Sequence, residues 1–243
     1  MKSIVLIGGS GIVGTALTKA WKDRYRMTVL DMREPQEEVA FIRTDATCFE
    51  ALLSHVPRDT DVIINLLQVP SSNDVKQLDK MTDVFFKASV YIMEAAVKLS
   101  IPKVVFASSN HVTDYYERDG HSILGREIKV SDYPYSRGIY GILKLASENV
   151  GHMYAHSHPL SVINIRIGTV PKNEKQALQE NERIHHTLLT REDLANLFAS
   201  AVETTSRYGT YYGVSDNPDK PWSMEEAYRA LDYASEVNSE DLQ

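Results

Sequence analysis

The first fourteen residues constrain this chain more than any other stretch. Lys2 to Ile7 is a short, β-branched, almost wholly apolar run, the pattern of a strand buried on both faces. Gly8-Gly9-Ser10-Gly11-Ile12-Val13-Gly14 follows directly, and a helical pattern begins after it with Ala16, Leu17, Ala20 and Trp21 on one side. The glycines remove the Cβ atoms that would hold a ligand off the backbone. The helix start offers free N–H groups and the positive end of the macrodipole. Gly9, Gly11 and Gly14 match G-x-G-x-x-G, and Gly8, Gly11 and Gly14 match the wider G-x-x-G-x-x-G. Such a turn cradles a pyrophosphate, although a tight strand-to-helix turn needs no ligand to exist.

Asp31 sharpens the reading. Met27 to Leu30 reads as a second strand, and Asp31 stands at its end, 17 residues past Gly14. A carboxylate there accepts hydrogen bonds from the adenosine ribose of a dinucleotide and repels a 2′-phosphate, so NAD is expected over NADP. Arg33, two residues on, is the opposing signal, because a guanidinium accommodates that phosphate. Val39 to Arg43 reads as a third strand that ends near Asp45. This second carboxylate could accept from the adenine amino group or cap a helix beginning near Thr47.

Further apolar runs continue the alternation. Strands are expected at Asp61–Leu67, Lys103–Ala107, Leu160–Ile167 and Gly209–Val214. Helices are expected at about Asp74–Leu99, Tyr140–Tyr154, Thr190–Val202 and Met224–Leu231. Thr190 is the expected N-cap of the third of these helices. Alternating strands and helices give an α/β, Rossmann-type doubly wound parallel sheet. One domain over residues 1–243 is expected, with segments of about 168–190 and 209–243 forming a small C-terminal substrate-binding cap. The polar, aromatic stretch from Thr113 to Arg137 reads as one long loop.

The net charge of −7 excludes a nucleic-acid footprint. No apolar run reaches membrane-spanning length, so no membrane partner is expected, and the reading is of a cytoplasmic protein. A single Cys48 excludes an internal disulfide and fits a reducing compartment, with packing as its expected role. His152, His156 and His158 are spaced like ligands, but no Cys or acidic partner completes a site, so no metal is expected.

Tyr140 and Lys144 lie four apart on a predicted helix and so share a face. A phenol is a poor base at neutral pH, but an adjacent ammonium and a nicotinamide cation both favour phenolate. Tyr140 can then take the proton of a substrate hydroxyl as hydride leaves the carbon, and Ser109, after the fifth strand, can hold the same oxygen.

Together the glycine turn, Asp31, Ser109 and the Tyr140/Lys144 pair resemble the extended short-chain dehydrogenase/reductase superfamily, the NAD-dependent epimerase/dehydratase side. Phe106-Ala107-Ser108-Ser109-Asn110-His111-Val112, Arg166-Ile167-Gly168 and Tyr212 to Pro218 resemble NAD-dependent uronate dehydrogenases within it. The resemblance implies oxidation of a sugar or uronic acid at C1 to a lactone, with NADH as the other product. It implies a cofactor site of Gly8, Gly11, Ile12, Val13, Gly14, Asp31, Arg33, Asp45, Ala46, Leu66, Leu67, Tyr140 and Lys144. It places Ser109, Asn110 and His111 on substrate hydroxyls and Arg183 on the substrate carboxylate, a task suited to a guanidinium fork that would serve a phosphate equally. Phe85, Asn65-Leu66-Leu67-Gln68 and Leu143 depart from the family pattern. A sugar-phosphate dehydrogenase, a sugar-nucleotide epimerase and a non-catalytic NAD(H) sensor or scaffold are the rival readings. The superfamily's helical dimer interface also makes a homodimer an expectation.

Overall fold

In a computed structural model, which describes residues 1–242, seven parallel strands carry the chain. They are β1 (Ser3–Ile7), β2 (Arg26–Asp31), β3 (Ala40–Arg43), β4 (Val62–Asn65), β5 (Lys103–Ser109), β8 (Ser161–Ile167) and β9 (Tyr208–Gly213). A separate antiparallel hairpin holds β6 (Glu117–Arg118) and β7 (His121–Ser122). The large sheet runs β3-β2-β1-β4-β5-β8-β9, with the first strand inside the sheet and the chain winding outwards to both edges. This is the doubly wound architecture expected from the sequence, and in such sheets ligands sit beyond the carboxyl ends of the strands.

Burial follows the strand pleat. Ile4 and Leu6 of β1 pack into a core that contains Leu17 and Trp21 of α1 (Ile12–Trp21) and Leu194, Leu197 and Phe198 of α8 (Arg191–Glu203). Val5 and Ile7 face the opposite way, with Leu52 of α2 (Phe49–His55), Ile92 and Ala96 of α4 (Ala88–Lys98), and Val150 of α5 (Ile139–Ser157). Two half-cores therefore clamp the sheet, and their combined burial is the main stabilising term. Thr190 caps α8 as expected, its side chain accepting from the Asp193 N–H.

Three local expectations need correction, and one further stretch gains two short helices. The long helix before β5 is segmented: a 3-10 turn at Val75–Gln77, α3 (Leu78–Met81), a π-helical turn at Thr82–Lys87, then α4. Its first residues do not reach the core, and Val75 is 76% exposed. The stretch after β5 is ordered as a 3-10 segment, Asn110–Tyr116, followed by the β6/β7 hairpin. Lys172 to Arg183, loosely patterned in sequence, contains α6 (Glu174–Glu180), and α7 (Ile184–Thr187) follows it. Cys48 does not pack; it is the exposed N-cap residue of α2.

Candidate active site

The glycine turn is shaped by crowding on one side and openness on the other. Gly8 has φ +78°, where an added Cβ would also lie 2.9 Å from the backbone of Leu66 and Leu67. At Gly14 the added atom would meet the Gly9 carbonyl oxygen at 2.1 Å, so the turn closes tightly on the helix. Gly11 differs: a Cβ there meets only the Gly8 oxygen at 3.7 Å. Gly11 is also the N-cap of α1 and supplies no side-chain cap, which leaves the first-turn N–H groups for an anion.

The Asp31 carboxylate closes this cradle. Its Oδ2 accepts from the Ser10 N–H at 3.0 Å and its Oδ1 from the Arg33 N–H at 3.0 Å. Asp45 takes the turn role: its Oδ1 accepts from the Thr47 N–H at 2.9 Å and the Thr47 hydroxyl at 2.7 Å, just ahead of α2. Ala46 is buried, as is Leu66, while Leu67 is half-buried behind Gly8. The open turn, the free helix start and the strand-end carboxylate fit an NAD molecule, whose phosphates Gly11 to Gly14 would hold and whose ribose Asp31 would hold.

Tyr140 and Lys144 stand one turn apart at the start of α5, facing the end of β5. Ser109 closes β5, and its Oγ accepts from the His111 N–H at 3.2 Å. The Tyr140 hydroxyl faces Gln68 Oε1 at 3.5 Å, a long contact, and its ring meets Phe85 and His111 edge to face at 5.1 and 5.5 Å. Lys144 is 2% exposed and donates to the Ala107 carbonyl at 2.9 Å. Its Nζ lies over the rings of Phe106, Phe85 and Tyr140 at 4.9, 5.0 and 5.8 Å. Burial pushes the Lys144 ammonium down to about 7, against the raising effect of Glu148. Burial also raises the Tyr140 phenol, against hydrogen bonding toward Ser109 and Gln68. Among the protein's own groups, the phenol is governed by desolvation, and the Lys144 ammonium addresses Ala107 and ring faces.

Beneath this pair lies a buried polar network that joins Ser108, Arg166 and Tyr212 through Glu148, a residue with no role in the sequence motifs. Glu148, four residues past Lys144, receives Arg166 Nε at 3.0 Å and Nη2 at 2.8 Å, and also the Ser108 hydroxyl at 2.5 Å. Arg166 Nη1 reaches the Tyr212 hydroxyl at 3.3 Å, which in turn meets Thr113 Oγ1 at 2.8 Å. The spacing 140, 144, 148 on one helix face is the signal that could have revealed Glu148. Phe85, one of the departures from the family pattern, sits in the π-helical turn. Its carbonyl accepts from the Ser89 and Ser147 hydroxyls at 2.7 and 2.5 Å.

The substrate-side residues are brought to the same end of the sheet, but largely occupied. Asn110 is buried and accepts from Ser109 Oγ at 3.4 Å. His111 Nδ1 pairs with Asp114 Oδ2 at 2.9 Å. Burial acts to raise the Asp114 carboxyl, but hydrogen bonds from His111 and the Arg137 N–H outweigh it and hold the group low. Arg183 Nε and Nη2 grip Glu117 Oε1 and Oε2 at 3.1 and 2.9 Å. Glu117 was not foreseen, since nothing in a local pattern links residues so far apart in the chain. Among the described residues no cluster of three His, Cys, Asp or Glu could hold a metal ion, and no helix is long and apolar enough to cross a membrane. His152 instead packs on Tyr208 and His158 on Tyr154.

Residues 4–211 match the NAD-dependent epimerase/dehydratase family. The chain belongs to that family. Within it, the chain is 49% identical to a Bacillus subtilis protein named YtbQ, over 100% of this chain and 97% of that one. It is 28% identical to an NAD-dependent glucose-6-phosphate dehydrogenase of Haloferax volcanii, over 98% and 95% of the two chains. Its fold is shared with a glucuronic acid dehydrogenase from Chromohalobacter salexigens, with a TM-score of 0.85 at 23% identity, covering 99% of this chain and 86% of that one. NAD is the cofactor of this family member, and the protein is an NAD-dependent oxidoreductase of the short-chain dehydrogenase/reductase type.

Proposed function

We propose that this protein oxidises a cyclic sugar at its C1 hydroxyl to the lactone. The observation that carries the reading is the convergence of Tyr140, Ser109 and Lys144 at the carboxyl end of β5, on the same side of the sheet as the Gly8–Gly14 cradle. Bound NAD supplies the hydride acceptor. Ser109 Oγ and the Tyr140 hydroxyl hold the C1 oxygen between them, and Tyr140 takes its proton as the C1 hydride departs. Lys144, when protonated, stabilises the phenolate that makes this transfer possible and is kept in place by the Ala107 carbonyl. Asn110 and His111 are the candidates for contacts with neighbouring sugar hydroxyls. Arg183, the residue that the resemblance offers for an anionic end, is paired with Glu117.

The test is NADH formation from NAD with aldoses, uronates and aldose phosphates, in the wild type and in Tyr140→Phe. Loss of a general base lowers kcat by about 100- to 10,000-fold. Turnover by Tyr140→Phe at the wild-type rate would remove Tyr140 from the chemistry, and release of an epimerised sugar with no net NADH would replace dehydrogenation by epimerisation.

A further inference from the structure

The arginine that a uronate would need is already bound to a carboxylate of the protein itself. Glu117 has a side chain only 5% exposed, and the paired Arg183 side chain is 29% exposed. Two parallel N–H···O contacts at 3.1 and 2.9 Å use the guanidinium fork in the geometry a substrate carboxylate would require. A third donor secures Glu117 in place: the Gly120 N–H meets Oε1 at 2.6 Å across the tip of the hairpin. Gly120 has φ +90°, and an added Cβ would lie 3.0 Å from the His186 ring, so glycine allows the hairpin tip to lie against the α7 segment. The His121 and His186 rings pack at 4.1 Å beside it. Hairpin and cap are thus joined at two points, and Glu117 is held from both sides.

The position of this pair matters for substrate choice. Arg183 Nη1 reaches Thr169 Oγ1 at 3.4 Å, and Thr169 lies two residues beyond Ile167, the strand partner of Ser109. The pair therefore stands beyond the carboxyl end of β8, on the same end of the sheet as Ser109. Two basic side chains of the neighbouring loop are likewise engaged. His111 pairs with Asp114, while Arg137 donates through its backbone N–H to Asp114 Oδ1 and through its guanidinium to the Asp114 and Glu117 carbonyls. An incoming carboxylate or phosphate that takes the guanidinium fork must displace Glu117 and leave it buried with a single backbone donor, and one that meets only the outer edge finds the arginine charge already offset by Glu117. A neutral sugar pays no such penalty, since its hydroxyls need only donors and acceptors such as Thr169 Oγ1 and the outer edge of the guanidinium. The overall charge of −7 also disfavours the approach of anions.

We infer that the site takes a neutral aldose, with Glu117 as the residue that sets this specificity by occupying Arg183. The inference rests on the sugar-dehydrogenase reading above. The test compares L-arabinose and D-galactose with D-galacturonate and glucose 6-phosphate, in the wild type and in Glu117→Gln. The glutamine keeps an acceptor for Gly120 but cannot hold the guanidinium as an ion pair. The expected wild-type kcat/KM is at least ten times higher for a neutral aldose than for either anion. In Glu117→Gln the ratio of galacturonate to neutral aldose should rise at least tenfold, carried by KM rather than kcat.

A wild type that favours galacturonate or glucose 6-phosphate would overturn the inference, as would a variant whose ratio stays put. A second measurement separates this from failure of the parent reading. In calorimetric titration of the enzyme–NADH complex, galacturonate should bind Glu117→Gln at least tenfold more tightly than wild type, whether or not any sugar is oxidised. Equal or tighter binding to wild type would overturn the inference, while absence of turnover on every sugar would defeat the dehydrogenase reading alone. If Glu117→Gln does not fold, the wild-type titrations with galactose and galacturonate still decide, with stronger binding of galacturonate counting against.

Discussion

Removing the Glu148 carboxylate tests the buried network under Tyr140 and Lys144. The two side chains of the Arg166–Glu148 pair are 5% and 4% exposed and joined by contacts of 2.8 and 3.0 Å. In Glu148→Ala the Arg166 guanidinium stays buried with only the Tyr212 hydroxyl at 3.3 Å, and Ser108 loses its acceptor. Breaking one partner of such a pair costs about 3–5 kcal/mol, because the remaining charge is desolvated without compensation. In a chain of this length each kcal/mol shifts Tm by about 2–4 °C, so the melting point should fall by roughly 6–20 °C. Scanning calorimetry of the wild type, Glu148→Ala and the double variant Glu148→Met/Arg166→Met supplies the assay. The double variant fills the space with apolar groups and leaves no orphan charge, so it should recover most of the loss. A Tm drop under about 3 °C for the single variant, or a double variant no better than the single, would refute the view that the pair matters through burial. Glu148 also opposes the burial effect on Lys144, so Glu148→Ala should weaken catalysis beyond what the lost stability explains.

Three further outcomes follow from the geometry. Lys144 is held down to about 7 by burial, so between that value and its ordinary value the unfolded chain binds the extra proton. Stability of the wild type relative to Lys144→Met should therefore rise with pH above 7, by up to about 4 kcal/mol by pH 10, and denaturant titrations at pH 6, 8 and 10 that show no rise would contradict the burial. Asp31→Ala should narrow the preference for NAD over NADP at least tenfold in fluorescence titrations, and an unchanged ratio would shift the discrimination elsewhere. Gly8→Ala forces a Cβ into a left-handed conformation 2.9 Å from the Leu66 and Leu67 backbone and should cost about 1–3 kcal/mol in urea unfolding, whereas a neutral change would mean that the turn relaxes freely.

What could be read in the sequence was whatever depends on near neighbours. The β1–glycine–α1 unit, the Tyr140/Lys144 spacing and the Thr190 cap each rest on residues within a few positions of one another, so periodicity and composition reveal them. The parallel, doubly wound class of the sheet follows from the alternation of elements, which is again local. Glu117–Arg183 and Arg166–Glu148 are different in kind, because each joins elements brought together only by the completed sheet. The π-helical turn was hidden for another reason. One residue beyond the α-helical repeat does not disturb an apolar pattern that stays apolar, yet it brings the Phe85 carbonyl within reach of Ser147 on a neighbouring helix. The exposed Val75 shows the same limit from the other side, since an apolar residue in the right period still needs a surface to pack against.

The two hydrogen bonds that Asp31 accepts from Ser10 and Arg33 reach further than cofactor choice. The carboxylate that would discriminate against a 2′-phosphate is also the clip that ties the end of β2 to the glycine turn. A lineage that exchanged it for a small residue in order to use the phosphorylated dinucleotide would loosen the loop meant to grip either form. Conversion between the two cofactors in this chain is thus a route of at least two steps, in which a new anchor for the Ser10 amide must come before, or together with, the loss of the old charge.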